Sequence, residues 1–330
     1  MVNTFCNQRN ERLTRRDLLR SAAAIGFSAV AAPLVMAGQK AKSQLIDCHV
    51  HLTHGWYAQE QGAITATDLL HWMDAREIAQ AVVLPLVSPE AFWYPVTTEH
   101  VLAATAAHRD RLIPFCAVDP RTLGTHLPTQ VEVVDLLKRY IDAGVKGLGE
   151  HKPRLAVDDP LSMRLYEACS QVGLPVLFHL DNFANMDLPG LPGLARVLAA
   201  NPELVMIAHG KGWWASIAGG LQQQDLQVGF PRGPVASGGA VDALLTAYPN
   251  LYADLSSSGA HALLRDKVFG GDFLKRWSNR LLFGTDYYLK SQVDFLQFSL
   301  FDELAADEAI RRKVGYENAR RVLKLNGAVH

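Results

Sequence analysis

From residue 45 onward, short apolar runs alternate with longer segments in which apolar residues recur every three or four positions. The short runs predict buried strands, and the longer segments predict amphipathic helices. One helix has apolar Val134, Leu137 and Ile141 and is predicted to end at Gly144, where glycine tolerates a left-handed cap. The predicted strands cover residues 45–50, 79–86, 112–118, 145–150, 175–180, 204–208, 251–255 and 281–283.

Strict alternation of strands and helices over roughly 290 residues predicts an α/β fold of the (β/α)₈ TIM-barrel type. A doubly wound open sheet is the rival, and a glycine-rich phosphate loop after the first strand would favour it. His-Val-His-Leu-Thr-His stands there instead, at residues 49–54. We therefore expect a single barrel domain over 41–330. A Gly/Gln/Pro-rich insertion near 211–239 either covers the active site or forms a surface excursion.

Residues 1–40 have the composition of an export signal. Paired Arg15 and Arg16 precede an uncharged stretch, residues 21–38, that is rich in alanine and valine. This order resembles the twin-arginine signal, which is removed or lies outside the fold and predicts a periplasmic or otherwise exported protein. An ordinary amphipathic helix and a retained membrane anchor are the alternatives.

Composition restricts the choice of partner. The chain has 330 residues, of which 49% are hydrophobic and 20% charged, with a formal net charge of -1. Because no block of Lys or Arg follows the leader, nothing favours nucleic acid or a membrane surface after export, and we expect a small-molecule substrate. Assembly into a homo-oligomer is left open. Cys48, Cys116 and Cys169 lack metal-type spacing and are predicted to be buried thiols.

Candidate metal ligands stand at or near the ends of four predicted strands. They are His49 and His51 on the first strand, His179 on the fifth, His209 on the sixth and Asp286 after the eighth. Each has an ordinary explanation when taken alone, such as a core histidine or a helix N-cap. Parallel barrel strands bring their carboxyl ends together, and several imidazoles with a carboxylate suit a catalytic divalent metal.

The amino-acid sequences of these segments resemble those of a known family. Asp-Cys-His-Val-His, Phe-Gly-Thr-Asp and the terminal Glu-Asn-Ala-Arg-Arg-Val-Leu are similar to the amidohydrolase superfamily. The similarity is strongest to the amidohydrolase-related branch, which includes the aminocarboxymuconate-semialdehyde decarboxylases, and it spans the chain after the leader. It implies that His49, His51, His179 and Asp286 hold one divalent metal, commonly Zn²⁺. It also implies that His209 acts as acid/base or activates water, and that Asp286 accepts a proton.

Glu150, at the end of the fourth strand, has several interpretations. Two-metal members of the superfamily place a bridging carboxylate there, which would add a second ion. A contact with substrate or with a ligand, or a structural salt bridge, is equally compatible with the sequence. Alternate residues of a strand face the same side, so a Glu150 that faces the barrel interior would bring Lys146 to the interior as well. The opposite register would turn His151 inward.

Aromatic and basic residues follow several of the strands. Trp56, Trp93 and Trp213 are predicted to line a pocket for a partly apolar substrate, or else to pack the loops on the barrel. Arg154 and Lys211 are candidates for binding a substrate carboxylate, although solvated side chains are the alternative.

The pattern favours a metal-dependent hydrolase that directs an activated water at an ester, lactone or amide carbonyl. A non-oxidative decarboxylase or hydratase acting on a carboxylated, aromatic substrate is the alternative, and a barrel that only binds a ligand is a third. A bridging Glu150 would favour hydrolysis, whereas Arg154 or Lys211 in the pocket would favour the lyase.

Overall fold

The computed structural model describes residues 44–56, 62–124, 128–228, 233–305 and 307–325. The predicted export signal, residues 1–40, lies outside these ranges, so its boundary with the barrel stays a prediction. Within the described ranges, every helix is too short or too polar to cross a membrane.

Eight parallel strands form the barrel. One sheet contains β1, β2 and β3, and a second contains β4 to β8, each strand pairing with its neighbour along the chain. A parallel bridge between Cys116 and Leu148 joins β3 to β4, and another between Val50 and Tyr287 joins β1 to the segment after β8. The strands are β1 (Ile46–Val50), β2 (Gln80–Val83), β3 (Leu112–Pro114), β4 (Leu148–His151), β5 (Val176–His179), β6 (Met206–His209), β7 (Leu251–Asp254) and β8 (Leu281–Leu282).

These two bridges close the ring, so the predicted TIM barrel is confirmed. Each strand overlaps its predicted apolar run and is shorter than that run, and β4 and β6 extend one residue beyond it, to His151 and His209.

Helices occupy the connections between strands. Thr65 and Thr129 begin two of them with capping boxes, and Gly173 ends a third in the left-handed conformation, as glycine permits. The α-helices cover Ala66–Asp74, Thr98–Thr105, Gln130–Asp142, Pro160–Val172, Pro192–Ala200, Lys211–Ala215, Asp225–Val228, Ala240–Ala247, Ser258–Leu264, Lys267–Trp277, Leu296–Leu304, Glu308–Arg312 and Asn318–Val322. Shorter helical turns cover Ala106–His108, Pro120–Leu123 and Lys313–Glu317.

Apolar side chains from successive strands form a buried cluster that includes Ile46, Cys48, Val82, Leu84, Ile113, Phe115, Leu177, Ile207 and Leu282. A larger cluster packs other strand residues against the surrounding helices. Cys48, Cys116 and Cys169 are free and buried, which confirms the prediction of buried thiols. Burial of this apolar surface supplies the rigid frame on which polar groups at the strand ends are held.

The insertion after β6 begins with the helix Lys211–Ala215, and this helix is fixed to the barrel. Trp213 and Trp214 are fully buried, and the indole N–H of Trp214 donates to the carbonyl of Asp254 at 3.1 Å. Further along, the amide of Gly219 donates to the carbonyl of Ala236 at 3.0 Å. Its first turn is therefore a structural part of the barrel wall.

Candidate metal centre

His49, His51 and Asp286 converge at the carboxyl end of the barrel. The Nε2 atoms of His49 and His51 are 3.2 Å apart. Asp286 Oδ1 lies 3.6 Å from His49 Nε2 and 3.5 Å from His51 Nε2. The amide of Asp286 donates to the carbonyl of His49 at 2.8 Å, which holds the segment after β8 against β1. Residues distant in the sequence thus place their ligand atoms together.

Glu150 lies between this group and the two remaining histidines. Its Oε2 is 3.8 Å from His49 Nε2 and 3.5 Å from His51 Nε2. Its Oε1 is 2.9 Å from His179 Nδ1 and 3.8 Å from His209 Nε2. One carboxylate therefore presents one oxygen to each pair of histidines.

The inward position of Glu150 does not bring Lys146 inward, so the parity argument was wrong. Glu150 is buried, whereas Lys146 is exposed. The register of β4 against β5 shifts between its two ends, and Gly149 in the irregular stretch has φ 153°. A Cβ on Gly149 would lie 2.5 Å from the carbonyl oxygen of Leu177. A glycine at this position lets the strand turn Glu150 into the site.

Asp254, at the end of β7, is a site residue that the sequence analysis missed. Its Oδ2 is 2.8 Å from His49 Nδ1, and its Oδ1 is 3.0 Å from His209 Nδ1. Burial alone would raise the pKa of Asp254, but the two imidazoles outweigh it and hold the pKa below its usual range. The carboxylate therefore accepts from both rings and leaves their Nε2 lone pairs facing the centre. One signal was available, since an aspartate ends an otherwise apolar strand.

The other two histidines are oriented in a similar way. His51 Nδ1 lies 3.1 Å from the carbonyl oxygen of Leu84, to which it can only donate. His179 Nε2 lies 3.1 Å from Asp181 Oδ2, and Asp181 also accepts from two backbone amides. With each outward nitrogen donating, the inward nitrogen of each ring, when the ring is neutral, has a lone pair that can act as a ligand.

This donor set fits a divalent cation. In the neutral rings the facing Nε2 atoms of His49 and His51 both carry lone pairs, and carboxylate oxygens of Glu150 and Asp286 complete the group. With both rings neutral, these atoms, which lie 3.2–3.8 Å from one another, share no hydrogen, and a cation bound between them would supply the positive charge that their lone pairs face. Tetrahedral ligands on Zn²⁺ stand about 3.4 Å apart, which agrees with these spacings.

The ionisable groups of the centre shift one another's pKa values. Burial lowers the pKa of His49, but Asp254, followed by Glu150 and Asp286, raises it well above its ordinary value. Burial also opposes the ionised form of Glu150, but Lys152, His179 and His49 hold that pKa well below its usual range. The Lys152 ammonium lies 2.5 Å from Glu150 Oε2. The ion pair keeps the buried carboxylate ionised.

Asp47 joins β1 to the segment that carries Asp286. It accepts from the hydroxyl of Thr285 at 2.6 Å, from the amide of Thr285 at 3.0 Å and from the amide of His49 at 3.0 Å. Burial raises the pKa of Asp47 to about 7. These hydrogen bonds hold Thr285, the residue before Asp286, against β1.

Aromatic residues predicted to line the mouth lie in two environments. Trp56 is 70% exposed and Trp93 is 80% exposed, so both have surface available to a ligand. Trp213, in contrast, packs in the core cluster with no exposed surface, because the helix that carries it is pressed against the barrel. The structure therefore places Trp213 in the wall and not in the mouth.

The predicted basic residues Arg154 and Lys211 are both exposed. The Arg154 guanidinium stacks 4.8 Å above the ring of Phe183, in the loop after β5. Lys152, which is two residues before Arg154, contacts the centre through Glu150.

Comparison with known proteins agrees with the geometry. The amidohydrolase family model matches residues 46–325. The chain belongs to the amidohydrolase family. The resemblance predicted from the sequence is therefore confirmed, and the family consists of metal-dependent enzymes. No curated protein sequence matches the chain.

Several solved structures share the fold. An uncharacterised TIM-barrel protein from Bordetella bronchiseptica is 19% identical, with a TM-score of 0.60 over 86% of this chain and 99% of its own. A putative 2-pyrone-4,6-dicarboxylic acid hydrolase from Pseudomonas putida is 16% identical, with a TM-score of 0.55 over 85% and 97%. A dihydroxybenzoic acid decarboxylase from Polaromonas sp., solved with manganese and 2-nitroresorcinol, is 16% identical, with a TM-score of 0.52 over 87% and 98%.

Proposed function

We propose that the protein is a metal-dependent hydrolase with a two-cation centre, acting on the ester, lactone or amide carbonyl of a small organic substrate. The observation that carries the proposal is the position of Glu150, with Oε2 towards His49 and His51 and Oε1 towards His179 and His209. A carboxylate in this position can serve two cations at once. Paired cations of this kind stabilise both the attacking and the leaving oxygen in hydrolysis.

The ligands divide into two sets. His49, His51, Asp286 and Glu150 would hold one cation, and His179, His209 and Glu150 would hold the other. A divalent cation would lower the pKa of bound water from about 15.7 to about 7 and would polarise a carbonyl oxygen. Zn²⁺ is the proposed metal because imidazole and carboxylate ligands suit it, with Mn²⁺ as the alternative.

Asp286 is the proposed proton acceptor. Its side chain is 19% exposed, whereas that of Glu150 is almost fully buried. Burial would raise the pKa of Asp286, but His51, His49 and His209 lower it, so the carboxylate is ionised at neutral pH. If a single cation is bound, His209 Nε2 is free to orient water or the substrate oxygen, as the resemblance implies.

A lyase remains the second candidate function, because Lys152 beside Glu150 offers a positive charge for a substrate carboxylate. Arg154 and Lys211, whose entry into the pocket would favour decarboxylation, are both exposed, and Arg154 stacks on Phe183. Their placement supports hydrolysis as the first choice. We further propose that the enzyme acts after export, on the basis of Arg15 and Arg16 in the leader.

Metal counting combined with a substrate panel tests the proposal. Wild-type protein is expected to bind two divalent ions per chain and to hydrolyse members of an ester, lactone and amide panel. Glu150→Gln should retain one ion or none and lose at least about 100-fold in kcat/KM, since a bridging ligand is removed. The control is Glu203→Gln, which changes an exposed carboxylate before the amino end of β6, whereas the proposed ligands lie at the carboxyl ends of the strands.

One ion in the wild type, unchanged by Glu150→Gln, would contradict the two-cation centre. Release of CO₂ from carboxylated aromatic acids, without hydrolysis of any ester, lactone or amide, would instead establish the lyase.

A further inference from the structure

Lys152 is the one basic side chain that contacts the buried centre among the residues the structure describes. Its ammonium lies 2.5 Å from Glu150 Oε2, and its side chain is 17% exposed. An ammonium has three N–H donors. In the described part of the chain, Glu150 is the only carboxylate within 4.0 Å of this ammonium, so further donors remain available towards solvent.

The backbone that carries Lys152 is held on both sides. β4 ends at the preceding residue, and Pro153 follows. The amide of Arg154 then donates to the carbonyl of Ala184 at 2.7 Å. A two-residue strand, Leu155–Ala156, pairs in parallel with Asn185–Met186 from the loop after β5. Lys152 therefore extends from a fixed segment at the carboxyl end of the barrel, where substrate enters.

A count of charges indicates what such a lysine can bind. Four carboxylates contact the imidazoles, from Glu150, Asp181, Asp254 and Asp286. Two divalent cations with neutral imidazoles would balance these four negative charges. With an uncharged water bound, Lys152 would then leave one positive charge in excess, at the side of the centre that is open to solvent. A substrate with a negative group would restore neutrality there.

We propose that Lys152 is the specificity-determining residue of this enzyme, and that it holds a carboxylate or similar anionic group close to the carbonyl to be cleaved. The inference rests on the proposed hydrolase and names its substrate class as small anionic esters, lactones or amides. Because the ammonium touches a ligand of the cations, only a few bonds can separate the anionic group from that carbonyl.

The competing interpretation is that Lys152 only neutralises Glu150. A neutralising lysine supports the metal ligands and would affect neutral and anionic compounds alike. A lysine that binds the substrate would affect the anionic compound selectively.

Two matched pairs of probes distinguish these interpretations. Monomethyl succinate and methyl butyrate are esters that differ in one carboxylate. The ketones 4-oxopentanoate and pentan-2-one differ likewise and have no leaving group, so they serve as non-reactive ligands. We expect the metal-loaded wild type to favour the anionic member of each pair, in kcat/KM and in Kd, by about 10- to 100-fold.

Lys152→Met and Lys152→Gln should abolish this preference at unchanged metal content, and Lys152→Arg should restore part of it. Lys146→Met is the matched control, since it removes an exposed lysine from the segment that enters β4. It should leave the preference intact.

The outcomes separate the inference from the function on which it rests. If the wild type lacks the preference, or if Lys152→Met weakens both members of a pair equally, the lysine is only a counter-ion and the inference falls. If neither ester is hydrolysed but wild-type protein selects 4-oxopentanoate over pentan-2-one and Lys152→Met does not, the anion site stands and the hydrolase proposal fails. If Lys152→Met loses its metal, the same comparison is made between Lys152→Gln and the wild type. Loss of the preference in Lys152→Gln at wild-type metal content supports the inference, and an unchanged preference overturns it.

Discussion

Asp254 is a single side chain that orients two imidazoles. Its two oxygens accept from His49 Nδ1 and from His209 Nδ1, which belong to the two proposed cation sites. Ser256 adds a hydroxyl donor to Oδ1 at 2.6 Å. Such partners of metal ligands set the tautomer and the direction of the lone pair, so one carboxylate couples the geometry of both sites.

We therefore expect Asp254→Asn to lower metal affinity by about 10- to 100-fold, because an amide cannot accept from both rings as a carboxylate does. Titration of metal-free protein with Zn²⁺ against a competing chelator measures the change. Asp187→Asn is the control, since Asp187 is also buried but accepts from the amides of Gly193 and Leu194. Equal zinc affinity in Asp254→Asn and the wild type would show that Asp254 does not orient the ligands.

The position of Glu150 on strand β4 depends on an irregularity in the strand. A regular strand would place residues of the same parity on one side, so Glu150 and Lys146 would share a side. The shift in register at Gly149 exposes Lys146 and buries Glu150 among the imidazoles. His151, next along the strand, is buried with its ring 5.2 Å from that of Tyr166.

We expect Gly149→Ala to lower the free energy of unfolding by about 1–3 kcal/mol, because the added Cβ overlaps the Leu177 carbonyl and the residue has positive φ. Metal content should fall as well, since Glu150 moves with the strand. Gly271→Ala, in the helix Lys267–Trp277 with open space around its Cβ, should stabilise the protein by about 0.5–1 kcal/mol. Denaturant unfolding and metal analysis measure both effects. A Gly149→Ala variant with wild-type stability and metal content would refute this account of β4.

Closure of the barrel assembles the centre from residues that lie more than two hundred positions apart. The Asp47–Thr285 hydrogen bonds and the pairing of Val50 with Tyr287 join the first strand to the segment after the last. Folding thereby collects acidic groups and imidazoles in a buried space. In the absence of a metal, protons supply part of the missing positive charge.

The pH dependence of stability follows from this proton uptake. Burial lowers the pKa of His179, but hydrogen bonds with Asp181 and Glu150 raise it from 6.5 to about 9. A group with a raised folded-state pKa stabilises the fold below its unfolded pKa and loses that contribution as pH rises through the folded pKa. Metal-free protein should therefore lose stability between about pH 6.5 and 9.

Metal-loaded protein should not share this loss, because bound cations replace the protons and stabilise the folded state by mass action. The difference in Tm between loaded and chelator-treated protein should widen as pH rises over that interval. Calorimetry in buffers of different ionisation enthalpy should also detect protons released on binding. A Tm difference that is constant or narrows would contradict the proposed ligand protonation.

Local patterns in the chain were sufficient to predict the barrel and to select most of the candidate ligands that the barrel brings together. Short apolar runs predicted all eight strands, since burial on both faces of a parallel strand leaves a continuous apolar signature. His49, His51, His179, His209 and Asp286 were found because polar residues at the ends of such runs are conspicuous. Periodicity cannot, however, specify which atom of a side chain points at which neighbour.

The remaining features of the candidate site depend on contacts between strands that are distant in the sequence. Asp254 was overlooked because its importance comes from rings on two other strands, and Trp213 was assigned to the mouth because loop position does not reveal burial. Glu150 faces both histidine pairs through a backbone shift that depends on the close approach of β5. Composition and spacing act along the chain, whereas coordination depends on distances of a few ångströms across it, which exist once the barrel has closed.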